Sequence, residues 1–397
     1  MFQAAVWNTR RIKSWAVITF ILLTTILYVT NSSSGQNNRD PVTVLGYSEL
    51  GMHFLNADYS ELALHPPGNT LRAQVIDRSS GEPRIVTSGV TVSYLLPSNT
   101  HSADKNNFWL FAQRLFGVQL QPNYGLTGNT LSGTMKATSN NDWEASDIPV
   151  TPISDEGRDD PYPLALITVS RNGQVVGQTR AVVPVSSEIS CNLCHVRPGV
   201  STATDILRKH DRLHNTHLED QKPVLCANCH ADYRLGMTGR PDLPSLSQAM
   251  HRAHAPRVAA ANLSNSCYAC HPGFRTQALR DVHFSKGLTC TNCHGTMETI
   301  ASSNRRPWVD EPRCSNCHQR AGFEFEEPGK LFRDSRGHMT VHCAACHGSP
   351  HAITPTVTAA DNLQALALQG HPGKINDCTV CHLTRPDDAF PHRLSGN

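Results

Sequence analysis

The chain has 397 residues, 39% apolar and 17% charged, with 35 basic against 33 acidic residues. Setting aside Arg10, Arg11 and Lys13 in a basic leader brings the basic count to 32. So even a balance says little by itself about partners and shows no basic excess of the kind a nucleic-acid binder carries, and the length suffices for two globular domains.

In chain order, residues 1–34 read as a signal peptide or signal anchor. Arg10, Arg11 and Lys13 precede the uncharged apolar run Ala16 to Val29, which has the length of a signal-peptide core and is short for a membrane span. The following TNSSSG lacks a sharp A-x-A site, so cleavage is expected with an uncleaved anchor as the alternative. Every cysteine has another use, as shown below, which leaves none for a lipid anchor.

Residues 40–188 contain no cysteine and three of the 21 histidines, His53, His65 and His101. The runs TLRAQVID, GVTVSYLL, LALITVS and QVVGQTRAVVPV are rich in β-branched residues and bounded by Gly, Pro, Asn or Ser, as strands are. Asn172-Gly173 between two such runs predicts a tight hairpin. One helix is expected over residues 106–116, stopped by Gly117. The whole predicts an all-β, sandwich-like domain.

From residue 189 to 397 the composition changes. All fourteen cysteines fall here, as seven Cys-x-x-Cys pairs each followed by histidine. They are Cys191, Cys194 and His195; Cys226, Cys229 and His230; Cys267, Cys270 and His271; Cys290, Cys293 and His294; Cys314, Cys317 and His318; Cys343, Cys346 and His347; and Cys378, Cys381 and His382. This spacing is the signature of c-type haem attachment: two thioethers hold the porphyrin and the next imidazole lies beneath the iron. Zinc is the competing reading, but zinc sites take four ligands and seven pairs leave a remainder. Seven covalent haems c are therefore expected. With so little chain per haem, the porphyrins must form much of the interior of a domain of short helices and irregular chain. Their propionates would make the finished particle acidic. Helices are expected at 205–217, 246–254 and 359–369, the second running to Pro256.

Bis-histidine ligation needs seven further imidazoles, and eleven remain in this half. His210 and His214, four apart, and His251 and His254, three apart, share helix faces. His338, His351 and His371 complete the expected set. His217, His283 and His342 are the main substitutes and His392 a weaker one. Met237, Met250, Met297 and Met339 are less favoured ligands. The three histidines of the β domain are expected to be structural, with His53 the one that could reach a haem.

On these motifs, with CAACHGSPHAI at 343–353 and LGMHFLNADYS and LPSNT ahead of them, the chain resembles the multihaem c-type cytochromes of periplasmic and extracellular respiration. The resemblance implies closely packed, mainly bis-histidine haems passing electrons in respiratory or extracellular electron transfer, in an exported protein of the periplasm or cell surface. It implies redox proteins as donors and acceptors, with self-association or other multihaem cytochromes as further partners. Membrane attachment would need the leader to stay uncut. An electron conduit rather than an enzyme is the expectation. The alternatives are a reductase of a small nitrogen or sulfur oxyanion at one open haem, and a membrane-anchored quinol oxidase partner. Nitrite reductases of that kind often carry lysine in place of one motif histidine, and all seven motifs here end in histidine.

Overall fold

The alternating runs of the first half form strands, and the computed structural model describes them within residues 41–387 and 392–394. The expected leader lies outside those residues. In chain order the strands are β1 (Val42–Ser48), β2 (His53–Phe54), β3 (Leu62–Ala63), β4 (Asn69–Asp77), β5 (Arg84–Ile85) and β6 (Thr91–Leu95). After helix α1 (Phe108–Phe116) come β7 (Ser132–Thr134), β8 (Lys136–Ala137), β9 (Trp143–Ile148), β10 (Leu164–Arg171), β11 (Gln174–Val182) and β12 (Val185–Ser186).

Two antiparallel sheets result, one in the order β1-β4-β9-β8 with β5 also on β4, the other β11-β10-β6-β7. Period-two alternation turns Val44, Leu71, Ala73 and Val75 of the first sheet toward Val92, Tyr94, Ile167 and Val169 of the second, in one fully buried core. Each large aliphatic side chain so buried contributes about 1.5–3 kcal/mol. Close approach of the layers requires glycine at position 46, where a Cβ would lie 2.6 Å from Ile167 Cδ1 and 2.9 Å from Ala181 Cβ. Asn172 and Gly173 both take positive φ, 51° and 78°, and turn β10 into β11.

The second half is short helices joined by irregular chain. Helix α2 (Thr202–His214) starts on a Ser201 cap that accepts the Thr204 N–H, and ends at Asn215 with φ 52°. It thus begins earlier and stops earlier than the sequence pattern suggests. After β13 (Val224–Leu225), α3 (Leu246–Ala261) opens with a Ser245–Gln248 capping box and runs through Pro256. A proline forfeits one helical N–H, and the alanine-rich turns beyond it with Val258 buried carry the helix on. Then follow α4 (Cys290–His294), α5 (Met297–Ile300), β14 (Phe323–Glu324), α6 (Cys343–His347), α7 (Ala359–Gln369) and β15 (Arg393–Leu394). Among the described residues no helix is long and apolar enough to cross a membrane.

The β layers and the cysteine-bearing half form one compact unit. Strand β13 pairs in parallel with β3, and Leu225 and Ala227 bury against Phe108, Ala112 and Leu115 of α1. Glu188, where the chain leaves the β layers, accepts N–H groups from Gly273, Phe274, Arg275 and Thr276 at 2.7–3.2 Å. Fully buried Arg280 grips Asp361 and donates to the Gly51 carbonyl at 2.6 Å. At the far end, Thr43 Oγ1 donates to the Val380 carbonyl at 2.6 Å and Arg78 to that of Thr379 at 2.7 Å.

Candidate functional site

Each Cys-x-x-Cys-His folds into a single tight turn. Five begin as 3-10 turns, and α4 and α6 are the other two. In the 3-10 cases the histidine N–H returns to the carbonyl of the first cysteine, as for His195 on Cys191 at 2.9 Å and His382 on Cys378 at 2.8 Å. That wrap gathers both thiols and the imidazole of one motif at one place. All fourteen thiols are free of disulfides. Numbered in chain order, the motifs form sites 1 to 7.

Opposite every motif imidazole stands a second imidazole. The ring centres are 6.4 Å apart for His195 and His254, 6.4 Å for His230 and His210, and 6.0 Å for His271 and His251. They are 5.9 Å apart for His294 and His351, 6.0 Å for His318 and His283, 6.0 Å for His347 and His392, and 6.1 Å for His382 and His338. Two metal–nitrogen bonds of about 2.0 Å, with about 1 Å from each nitrogen to its ring centre, span about 6 Å. The gap therefore fits a metal held between two imidazoles, while direct ring stacking would be closer. Among the described residues, no three or more His, Cys, Asp or Glu converge on one point. The histidines meet in twos.

Hydrogen bonding sorts the histidines further. At six of the facing imidazoles Nδ1 is engaged: His195 by Asp205, His230 by the Pro244 carbonyl, His210 by Thr216, His251 by the Ser247 carbonyl, His254 by the Met250 carbonyl, and His283 by Asp281, at 2.7–3.3 Å. Engaging Nδ1 leaves Nε2 for a metal, the usual arrangement around a ligating histidine. The reverse holds elsewhere. His53, His65 and His342 spend Nε2 on the Pro66 carbonyl, Asp232 and the Asn140 carbonyl, each at 2.9 Å. Those three are tied into the protein frame.

Desolvation, foremost, pushes His294 and His347 down to about 4. Facing imidazoles add to it, His351 in the first case and His392 in the second. Both rings are neutral at physiological pH, the form with a lone pair to give. His351 takes φ 61°, rare for a residue with a Cβ. Backbone strain of this kind marks positions where the surroundings dictate a side chain's direction.

Five of the seven non-motif histidines expected from spacing face a motif imidazole: His210, His251, His254, His338 and His351. His214 and His371 do not. His214 lies beside His210, ring centres 4.8 Å apart, and one helix face presents only one of them to site 2. His371 is exposed and turns Nδ1 to the carbonyl of the adjacent Pro372 at 3.1 Å. Their places are taken by His283 and His392. His283 is set by a ladder in which Arg280 N–H meets the His351 carbonyl and Val282 N–H the Ile353 carbonyl. His392 is set by the pairing of β14 with β15, and its ring bonds the Glu324 backbone. The Asp281-x-His283 spacing is a weak local signal for the first; no local signal marks the second.

No family model matches the chain, and no curated protein matches it in sequence. Among solved structures, Pseudomonas fluorescens alkylpurine DNA glycosylase AlkC bound to DNA containing an abasic site analog aligns over 38% of this chain and 34% of its own. The alignment has 12% identity and a TM-score of 0.15, a likeness too slight to bear on fold or function.

Proposed function

We propose that this protein is an exported seven-haem c-type cytochrome that carries electrons along a continuous file of bis-histidine haems, and is not an enzyme. The observation that carries the reading is the set of seven motif histidines, each with another histidine 5.9–6.4 Å away across a metal-sized gap. Haem supplies a one-electron iron couple when bound. The protein's own part is to hold and insulate. Paired thiols of each motif would hold one porphyrin, the motif histidine and its facing partner would ligate its iron, and the anchored Nδ1 groups would keep the rings in register. Held between two imidazoles, such an iron would offer a small molecule no free position. An oxyanion reductase needs one motif imidazole with nothing opposite, and none of the seven is so placed.

The test is the purified, fully oxidised protein. Mass spectrometry is expected to give seven covalent haems per chain, and electron paramagnetic resonance to give only low-spin iron. A chain without covalent haem would defeat the reading. High-spin iron at one-seventh of the total would turn it toward the reductase.

A further inference from the structure

We infer that the seven attachment sites form one unbranched file in the order 2–1–3–4–5–6–7, so that the sites at Cys226 and Cys378 are its two ends. The inference rests on the haem reading above and goes beyond it by assigning neighbours.

Each step is fixed by a shared element. Helix α2 carries His210, which faces His230 of site 2, and Asp205 and Lys209, which both reach His195 of site 1. Helix α3 carries His254, facing site 1, and His251, facing site 3, three residues and about 4.5 Å apart along its axis. Ser190 N–H also bonds the Ala269 carbonyl, joining the turns of sites 1 and 3 directly. Between sites 3 and 4, Gln248 of α3 donates to the Ser302 carbonyl at 3.3 Å and to the Arg305 carbonyl at 3.0 Å, which holds the helix facing site 3 against the segment that follows site 4. The ladder of 280–282 against 351–353 then places His351, facing site 4, beside His283, facing site 5. Phe325 links the next pair, with its ring 5.9 Å from His318 of site 5 and 5.8 Å from His392, which faces site 6. Ile375 N–H bonds the Cys346 carbonyl, which ties the approach to site 7 onto site 6.

No step requires sites 2 and 3 to touch. The chain therefore doubles back at the start, with site 1 between sites 2 and 3, and runs in sequence order from site 3 onward. Sites 2 and 7 have one neighbour each, and both rest on the β layers, site 2 through β13 on β3 and site 7 through Thr43 and Arg78. A donor and an acceptor of electrons would meet the protein at these two ends.

The experiment is a structure of the haem-loaded full chain, by crystallography or electron cryo-microscopy, read as iron–iron distances. Covalent haem is counted by mass on the same sample. The iron bound at Cys191–His195 is expected to lie between those at Cys226–His230 and Cys267–His271, and the iron at Cys378–His382 to have the one at Cys343–His347 as its nearest neighbour. Seven haems with the iron of site 2 nearer to site 3 than to site 1 would overturn the order and leave the haem reading standing. A chain that carries no covalent haem would overturn both.

Discussion

His392 near the C-terminus separates the sequence expectation from the structure most sharply. Its ring faces His347 at 6.0 Å, and no other described imidazole faces that motif histidine as closely. On the haem reading, replacing it, His392→Ala, would remove one ligand of one iron and touch no cysteine. All seven haems should stay attached, because thioethers do not depend on the far ligand. One-seventh of the iron should become high-spin. Reduced protein should then bind one equivalent of carbon monoxide per chain, where the parent binds none. The effect should stay local, since Phe325 stands between His392 and His318 and keeps its place. Strand β15 retains its pairing with β14, so the loss of stability should be about 1 kcal/mol, the worth of the ring's hydrogen bond to the Glu324 backbone. Electron paramagnetic resonance with spin counting, followed by the carbon monoxide titration, measures both quantities. An all-low-spin variant that binds no carbon monoxide would refute the assignment and return His371 to consideration.

The variants His214→Ala and His371→Ala should leave the spin count unchanged, measured the same way. Asp205→Asn should raise the midpoint potential of one haem in seven in a spectroelectrochemical titration: a carboxylate accepting from His195 Nδ1 makes that imidazole a stronger donor to ferric iron. Glu188→Ala should cost about 3 kcal/mol in urea denaturation, since it strips a buried carboxylate from four backbone N–H groups. Burial raises the Glu188 carboxyl and the four N–H groups outweigh it, holding the group below 4.5. Its contribution is therefore present at neutral pH and lost as pH falls through the lowered value. The stability gap between parent and Glu188→Gln should narrow as pH falls through that lowered value.

The Cys-x-x-Cys-His turns were legible because both thiols and the histidine are contiguous in the chain. The α3 pair, His251 and His254, was legible as helix periodicity, though not which motif histidine each ring faces. Periodicity failed at His214 for the same reason: it places His210 and His214 on one face and says nothing of what lies opposite. His283 and His392 were ranked below His371 because their positions come from contacts remote in sequence, the 280–282 ladder and the β14–β15 pair. Helix α3 outran its expected end because Pro256 removes one hydrogen bond while the residues beyond it favour helix. The hairpin at Asn172-Gly173 and the stop at Gly117, with φ 73°, followed from local chemistry alone. The run LGMHF owes its glycine to the second half of the chain. A Cβ at Gly51 would lie 1.6 Å from the Pro350 carbonyl oxygen and 3.1 Å from His351 Cβ, a closeness that only the folded molecule reveals.

Helix α7 has a consequence for how the chain must be made. Strands β1 and β11 end their sheets among the described strands, and Gln364 Oε1 accepts from both, from Gly46 N–H at 2.7 Å and Thr179 Oγ1 at 2.9 Å. Open sheet edges recruit strands from other molecules. The β layers leave the ribosome first, yet the segment that covers these edges comes some 180 residues later, beyond most of the cysteine motifs. Until the last quarter of the chain has folded back, the first half stands open to its own kind, and a block late in assembly would show itself as aggregation of the strands.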